Sequence, residues 1–545
     1  MDESVEVQPP LSDQPFFDPT EYGSGPDDSI SNSDSNLSEN AAVTHHSITI
    51  NRATISYTAR AGHLVTYDQS SARPSAKIFY VSFTENDAAA SSRPVTFFYN
   101  GGPGSSSVFL LLGSFGPRRV KTSMPDFTPP APYALENNAD SLLDRTDLVF
   151  INPVGTGYST AIAPGKNKDF WGVDQDAKSI RQFIKRYLTK YGRWNSPKFL
   201  FGESYGTPRT CVLTWLLHED GIDLNGVVLQ SPVLDYSQQN NSVGVLPTFV
   251  ADALYHNKVT VSPLPKLPDD LGSFMKRVED FARVKYAAEK ATYTEKVDQD
   301  TVQLLSQYLG ISSEVLEDWK LDPTIPNPIG IMIYLTSLLQ HEVEAVGLYD
   351  GRVTANDTGI AGSVDPNSGT NDPSLTAVGG VYTTMWNVYM NEELKYMSTS
   401  PFMDMNDKAF DKWNWNHVDP TGRQTTTRAT LYTAGDLAAS MELNPYLKVF
   451  CANGYYDAAT PFLQTKLDIE NMPLDDQKTK EGRESRRKTL QHNLFFHTYQ
   501  SGHMIYLDKD SRKEMKNDLR ILRQDTSSPH RGRSRPTVPV PKSQV

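Results

Sequence analysis

PKFLFGESYGTPRTCVLTWLLHED, residues 197–220, passes from an apolar run through a Gly-x-Ser-x-Gly turn into a stretch able to form a helix. "PKFLFG" is short and continuously apolar, as a strand buried on both faces is. Pro208 suits the first turn of a helix, where its missing N–H is not needed. In a strand–turn–helix of this kind, Gly202 and Gly206 relieve crowding, so a strained turn can lift a serine hydroxyl above a sheet and aim the helix amino end at it. Ser204 is therefore a candidate nucleophile. The competing reading is a glycine-rich turn with no chemistry. Five residues with three fixed positions recur by chance in long chains, so the surroundings must decide.

Runs of the same kind recur on both sides: "RPVTFFYN", "DLVFIN", "NGVVLQS", "YLKVFCANG" and "NLFFHTYQ". Helical stretches separate several of them. In "VDQDAKSIRQFIKRYLTKYG", Ala177, Ile180, Ile184, Tyr187, Leu188 and Tyr191 share one face, with Asp174 read as the cap. Strands alternating with helices predict an α/β fold with a mostly parallel central sheet flanked by helices. Ahead of them, "HSITINRATISYTA", "GHLVTYD" and "AKIFYVSFTE" alternate at period two, as antiparallel hairpins do. From 241 to 435 the rhythm is lost among "SPLPKLPDDLGSF", charged helical patterns and the Gly/Asn/Asp-rich "ANDTGIAGSVDPNSGTNDPS". That segment reads as an inserted, mostly helical cap over the sheet's carboxyl edge, where ligands bind in open α/β sheets. The alternative is a separate domain, and the return of buried strands afterwards speaks against it. The expected division is a disordered acidic tail at 1–43, core at 44–240, cap at 241–435, core again at 436–523 and a disordered basic, Pro-rich tail at 524–545.

The 545 residues are 38% hydrophobic and 21% charged, the balance of an ordinary globular chain. The formal charge is −13, yet the first 43 residues hold ten Asp or Glu, and no Lys or Arg precedes Arg52, which leaves −3 for the rest. No nucleic-acid footprint is expected. The longest apolar stretches, such as "GIMIYLTSLL", are too short to span a bilayer, so no membrane partner is expected either. Cys211 and Cys451 stand in apolar contexts and read as two buried thiols, and two cysteines cannot form a cysteine-rich metal site.

A loop for an oxyanion is also present. "VTFFYNGGPGSSS" runs from a strand into Asn100, Gly101, Gly102, Pro103 and Gly104, whose glycines let backbone amides approach a substrate oxygen. A phosphate cradle is the rival reading, but no Lys-Ser or Lys-Thr follows the glycines. Where a serine nucleophile sits on such a turn in an α/β-hydrolase, the acid and then the histidine follow in chain order. Asp457 comes just after "LKVFCANGYY" and His503 just after "LFFHTYQSG". Of the competing histidines, His497 falls inside a strand pattern, His492 in a charged loop and His218 on the helix after the serine.

Taken together, "NGGPGSSS", "PVGTGYS", "GESYGT", "NGYYDAATPF" and "YQSGHMIY" resemble the serine carboxypeptidase family, in particular its bacterial-type branch, from about residue 46 to 523. "GLYDGRV" and "WNWNHV" in the inserted segment share the likeness. The resemblance implies an α/β-hydrolase fold with a cap and the release of single residues from peptide carboxyl ends, favouring acid pH. It matches Ser204 to the nucleophile, His503 to the general base and acid, and Asp457 to the carboxylate that orients the imidazole. It also matches the backbone amides of Gly102 and Tyr205 to the oxyanion donors, and Asn100 and Glu203 to the residues that hold the substrate's terminal carboxylate. A carboxylate only accepts hydrogen bonds, so Glu203 must be protonated to bind one, which favours low pH. Peptide or protein carboxyl termini are the implied partner, and no metal or organic cofactor is expected.

Three departures from the pattern stand out. Many family members carry a Glu in the helix after the oxyanion loop, where "LLLGSFGP" has Ser114. Without that second carboxyl, like-charge repulsion raises the Glu203 pKa less. The usual "GCSS" is "GSSS", with Ser105 in place of the cysteine, and the associated disulfides are missing. The family is usually secretory, vacuolar or periplasmic, but "MDESVEVQPPLSDQ" has no basic n-region or apolar h-region, so no compartment is assigned. Two other readings stay open: an esterase or acyltransferase using the same triad, and an inactive binding protein that keeps the fold.

Overall fold

The computed structural model describes residues 12–266, 270–293, 297–324, 332–356, 372–473 and 492–522. The segments 1–11 and 524–545 of the two expected tails, and 357–371 of the Gly/Asn/Asp-rich stretch, lie outside the described residues.

Nine strands form the principal sheet: β1 (Ala41–Ile50), β2 (Ala53–Tyr67), β3 (Pro74–Glu85), β4 (Val95–Tyr99), β5 (Asp147–Ile151), β6 (Lys198–Glu203), β7 (Gly226–Gln230), β8 (Lys448–Gly454) and β9 (Leu494–Tyr499). Their spatial order is β9-β8-β7-β6-β4-β5-β3-β2-β1, and the two-residue strand Thr160–Ala161 joins at β3. From β9 to β5 every pairing is parallel. From β5 through β3 and β2 to β1 they are antiparallel. The period-two segments of the sequence thus make the antiparallel side and the continuously apolar runs the parallel one. Asn51 and Arg52, both at positive φ, turn the chain between β1 and β2, as two-residue hairpin turns require.

Side chains on the parallel strands alternate between two separate cores, because successive Cβ atoms of a strand point to opposite faces. Phe98, Phe150, Phe201, Val228 and Phe450 meet Leu110 to Leu112 and Tyr506 on one face. Phe97, Val149, Leu200, Val227 and Val449 meet α1 (Val173–Lys190), α2 (Gly206–Glu219) and α3 (Ala434–Leu443) on the other. Burial on both faces is why these strands lack a polar side. Cys211 and Cys451 are free thiols inside the second core.

Between β7 and α3 the chain is mainly helical, including Ser242–Tyr255, Leu271–Phe281, Gln299–Leu309 and Gly379–Val388. The first three of these pack around Phe249, Phe274, Leu305 and Tyr334, with Tyr456 and Phe462 from beyond β8 closing the cluster. No described helix is long and apolar enough to cross a membrane.

Two expectations need correcting. Residues 12–43 are ordered into the fold rather than disordered: Phe16–Asp18 pairs in parallel with Tyr396–Ser398, and Ile30 packs on Val65 and Ile162. The physical reason is Asp18, buried but accepting hydrogen bonds from the hydroxyls of Tyr22 and Tyr396 at 2.7 Å each, which removes the cost of its charge. Asp174 does not cap α1, whose N-cap is Gly172; its carboxylate bonds His417 instead.

Candidate active site

Four parallel strands deliver the residues singled out in the sequence to one edge of the sheet. β4 ends at Tyr99 and hands on to Asn100, β6 ends at Glu203 beside Ser204, and the loops after β8 and β9 carry Asp457 and His503. The turn between β6 and α2 is only Ser204 and Tyr205, and Ser204 holds φ +59°, a conformation uncommon outside glycine. Its amide donates to the Gln230 carbonyl of β7 and its carbonyl accepts from the Thr207 amide, so the strained turn is tied on both sides. A Cβ on Gly202 would collide with the Gly206 carbonyl, which explains the glycine before the serine.

Asp457 is fully buried and accepts from the Ala459 and Thr460 amides at 3.0 Å each, from the Thr460 hydroxyl at 2.6 Å and from His503 Nδ1 at 2.8 Å. Its lone pairs are filled, so the carboxylate is held in place as well as charged. His503 donates its own amide to the Tyr349 carbonyl, its carbonyl accepts from the Ser231 hydroxyl, and the Tyr349 ring packs edge-on at 5.1 Å. Burial works against the imidazolium, but the Asp457 charge and hydrogen bond outweigh it and hold His503 above its ordinary pKa.

A cavity of about 380 Å³ opens over this edge, and Asn100, Gly102, Glu203, Ser204 and His503 all line it. Phe109, Tyr349, Leu375, Met405 and Met504 supply apolar wall. Gly101 brings the glycine loop against the serine turn, since a Cβ there would collide with the Tyr205 amide nitrogen. Among the described residues, neither the Gly102 nor the Tyr205 amide donates to a backbone carbonyl. The Glu203 carboxyl is buried behind Ser204. Desolvation first, and the nearby Asp457 charge after it, push its pKa up to about 7 against the opposing charge of His503, so the carboxyl is raised although Ser114 stands where many relatives have a second one. Ser114, at the position of that carboxyl, turns its hydroxyl back to the Leu110 carbonyl.

The structure adds supports that sequence reading missed. Arg209 of α2 is buried, bonds Asp176 of α1 at 2.5 Å and the Asn100 carbonyl at 2.6 Å, and thereby fixes the glycine loop to two helices. Trp413 donates to the Tyr205 hydroxyl, and four residues on, His417 bonds Asp174 at 2.7 Å and Asp436 of α3 at 2.9 Å. Tyr506 donates to Glu203 at 3.3 Å. The "WNWNHV" motif was the available signal for the second of these and the end of "YQSGHMIY" for Tyr506, though neither suggested a role; Arg209 lay outside every such motif. His497 lies on β9, partly exposed and paired with Glu514 and Asp518, and His218 pairs with Asp223.

A profile described as serine carboxypeptidase matches residues 50–515. Among curated proteins, serine carboxypeptidase-like 2 of Arabidopsis thaliana is 29% identical over 175 residues, covering 30% of this chain and 38% of the relative. Serine carboxypeptidase-like 45 of the same plant is 27% identical over 224 residues, covering 37% and 45%. The matched stretch thus spans less than half of either curated relative. Among solved structures, a prohormone-processing carboxypeptidase from Saccharomyces cerevisiae superposes with a TM-score of 0.51 at 17% identity, covering 85% of this chain and 91% of its own. That likeness establishes the α/β-hydrolase fold.

Proposed function

The chain belongs to the serine carboxypeptidase family, and on that premise we propose that it releases amino acids one at a time from the carboxyl ends of peptides, through an acyl-enzyme on Ser204. The observation that carries this reading is the buried Asp457–His503 pair opening into the same cavity as Ser204, Glu203 and Asn100. Because Nδ1 is committed to Asp457, Nε2 is the nitrogen left to act on the serine. Ser204 Oγ attacks the carbonyl carbon of the last peptide bond as His503 takes its proton, and the imidazolium is stabilised by Asp457. The oxyanion that forms faces the Gly102 and Tyr205 amides, donors already in place before charge develops. The C–N bond breaks, His503 returns the proton to the departing amine, and the free amino acid leaves. Water then gives its proton to His503, attacks the ester and releases the shortened peptide with Ser204 restored.

Specificity for a free carboxyl end comes from Glu203 and Asn100. Glu203 donates only when protonated, and with a pKa of about 7 it stays protonated through the acid range, so affinity for a free acid falls as pH rises past about 7. The test is hydrolysis of a blocked dipeptide with a free carboxyl end against its amide, for wild type and Ser204→Ala, from pH 4 to 8. The expected result is preferential cleavage of the free acid, declining above neutrality, and a loss of about 10⁶-fold in kcat with Ser204→Ala. Equal cleavage of acid and amide, or cleavage of a simple ester alone, would set the peptidase reading aside.

A further inference from the structure

Glu203 is held differently at its two oxygens. Oε1 accepts a hydrogen bond from the Tyr506 hydroxyl at 3.3 Å, while Oε2 has no hydrogen-bond partner among the described residues. The Asn100 amide lies near enough to favour the ionised form without closing a bond onto Oε2. Tyr506 is itself immobilised: it is fully buried, and its carbonyl accepts from Arg512, which also bonds Asp140. Gly113 makes room for it, since a Cβ there would lie 2.6 Å from the Tyr506 ring and nearer still to the Tyr382 hydroxyl. Ser114 offers Glu203 nothing, because its hydroxyl is spent on the Leu110 carbonyl.

We propose that Tyr506 is a positioning residue for recognition of the substrate's terminal carboxylate: by donating to Glu203 Oε1 it commits that oxygen as an acceptor and leaves Oε2 to carry the proton offered to the substrate. This rests on the reading of Glu203 as the carboxylate-binding acid. A neutral carboxyl has one donor oxygen and one acceptor oxygen, and a substrate carboxylate can use only the donor. Without the phenol, either oxygen can hold the proton and part of the population presents the wrong one. Phenol and amide thus take over the orienting task that a neighbouring carboxyl would perform.

The other groups facing Glu203 set the sign of the pH effect. His503 favours its ionised form and Asp457 opposes it, while Tyr506 and Asn100 both favour the ionised form. Tyr382 feels the charge of Glu203 as well, and also those of Arg119 and Arg512. Removing the phenol therefore raises the Glu203 pKa, so the proton is kept to higher pH although it is aimed less well.

The experiment compares wild type, Tyr506→Phe and Glu203→Ala on a blocked dipeptide with a free carboxyl end and on a simple ester of a blocked amino acid, which has none. For Tyr506→Phe at pH 5 the ratio of kcat/KM, free acid over ester, is expected to fall about five- to tenfold, mainly through KM, as loss of one hydrogen bond does. The pH at which free-acid affinity is half lost moves upward in the same variant. A ratio and midpoint equal to wild type, while Glu203→Ala collapses the ratio, would overturn the role of Tyr506 and leave Glu203 standing. Equal losses on both substrates would also overturn it, making Tyr506 a mere support of the His503 loop. If wild type shows no free-acid preference and Glu203→Ala changes nothing in the ratio, the reading of Glu203 fails and this inference falls with it.

Discussion

Gly101 is where the loop facing the oxyanion touches the turn carrying the serine. A Cβ there would collide with the Tyr205 amide nitrogen and lie 2.7 Å from the Glu203 carbonyl oxygen, both backbone atoms that cannot rotate away. Gly101→Ala should therefore push the two halves of the site apart by several tenths of an ångström. Misplacement approaching 1 Å costs about 10²-fold in rate, so kcat/KM should fall by about that factor while circular dichroism stays native; near-wild-type kinetics would refute the close approach. At this scale, legibility follows chemistry. Ser204, Asp457 and His503 could be picked out as candidates because each follows a short apolar strand run, and the serine also needs glycines around it. Tyr506 closes the "YQSGHMIY" motif, but nothing in the sequence gave it a task. A tyrosine in "GHMIYLD" looks like any core aromatic, and its contact with Glu203 exists only because the chain folds back after His503 and Gly113 leaves a space.

Among the elements, the short segment from Trp413 to His417 is held by charge on two sides. His417 joins it to the start of α1 through Asp174 and to α3 through Asp436. Burial disfavours its charge, but the two carboxylates outweigh that and raise its pKa to about 9. A histidine raised in the folded state stabilises fully below its unfolded value of about 6.5 and loses that contribution as pH rises through about 9. Comparing melting temperatures of wild type and His417→Ala between pH 6 and 9.5 should show a gap equivalent to about 3 kcal/mol at the acid end, closing toward the alkaline end. A gap independent of pH would mean the imidazole packs without being charged. The sequence showed the elements better than their connections. Most parallel strands were legible because burial on both faces leaves continuous apolar runs, although the edge strand β9 has such a run while only partly buried, and the helix in α1 was legible because its apolar face repeats. Asp174 was misread because an acidic residue near a helix start looks like a cap, whereas its partner lies 243 positions away.

At the scale of the whole molecule, both thiols lie inside the second core, out of contact with solvent. Cys211 and Cys451 are completely buried, and burial raises both pKa values, that of Cys451 to about 12. A small aromatic disulfide reagent at pH 8 should therefore leave the native protein unlabelled and modify two thiols per chain after denaturation; rapid stoichiometric labelling of native protein would contradict the packing. Composition foretold these thiols but concealed the start of the described chain. Ten acids and no base among the first 43 residues suggest a tail that cannot fold, yet "PFFDPTEY" carries the strand and the aromatic that seat it. Averages over a segment hide a single buried carboxylate that two phenols satisfy. That seat has a temporal side. Asp18 and Tyr396 are 378 residues apart, so a growing chain leaving the ribosome carries its strap unmatched until most of the polypeptide has been synthesised. The same strap holds the Ser24 carbonyl to Asn406, between two residues that line the cavity, Met405 and Asp407. That wall of the cavity is thus tied to a contact spanning 382 positions, and it is not braced in this way until both segments have left the ribosome.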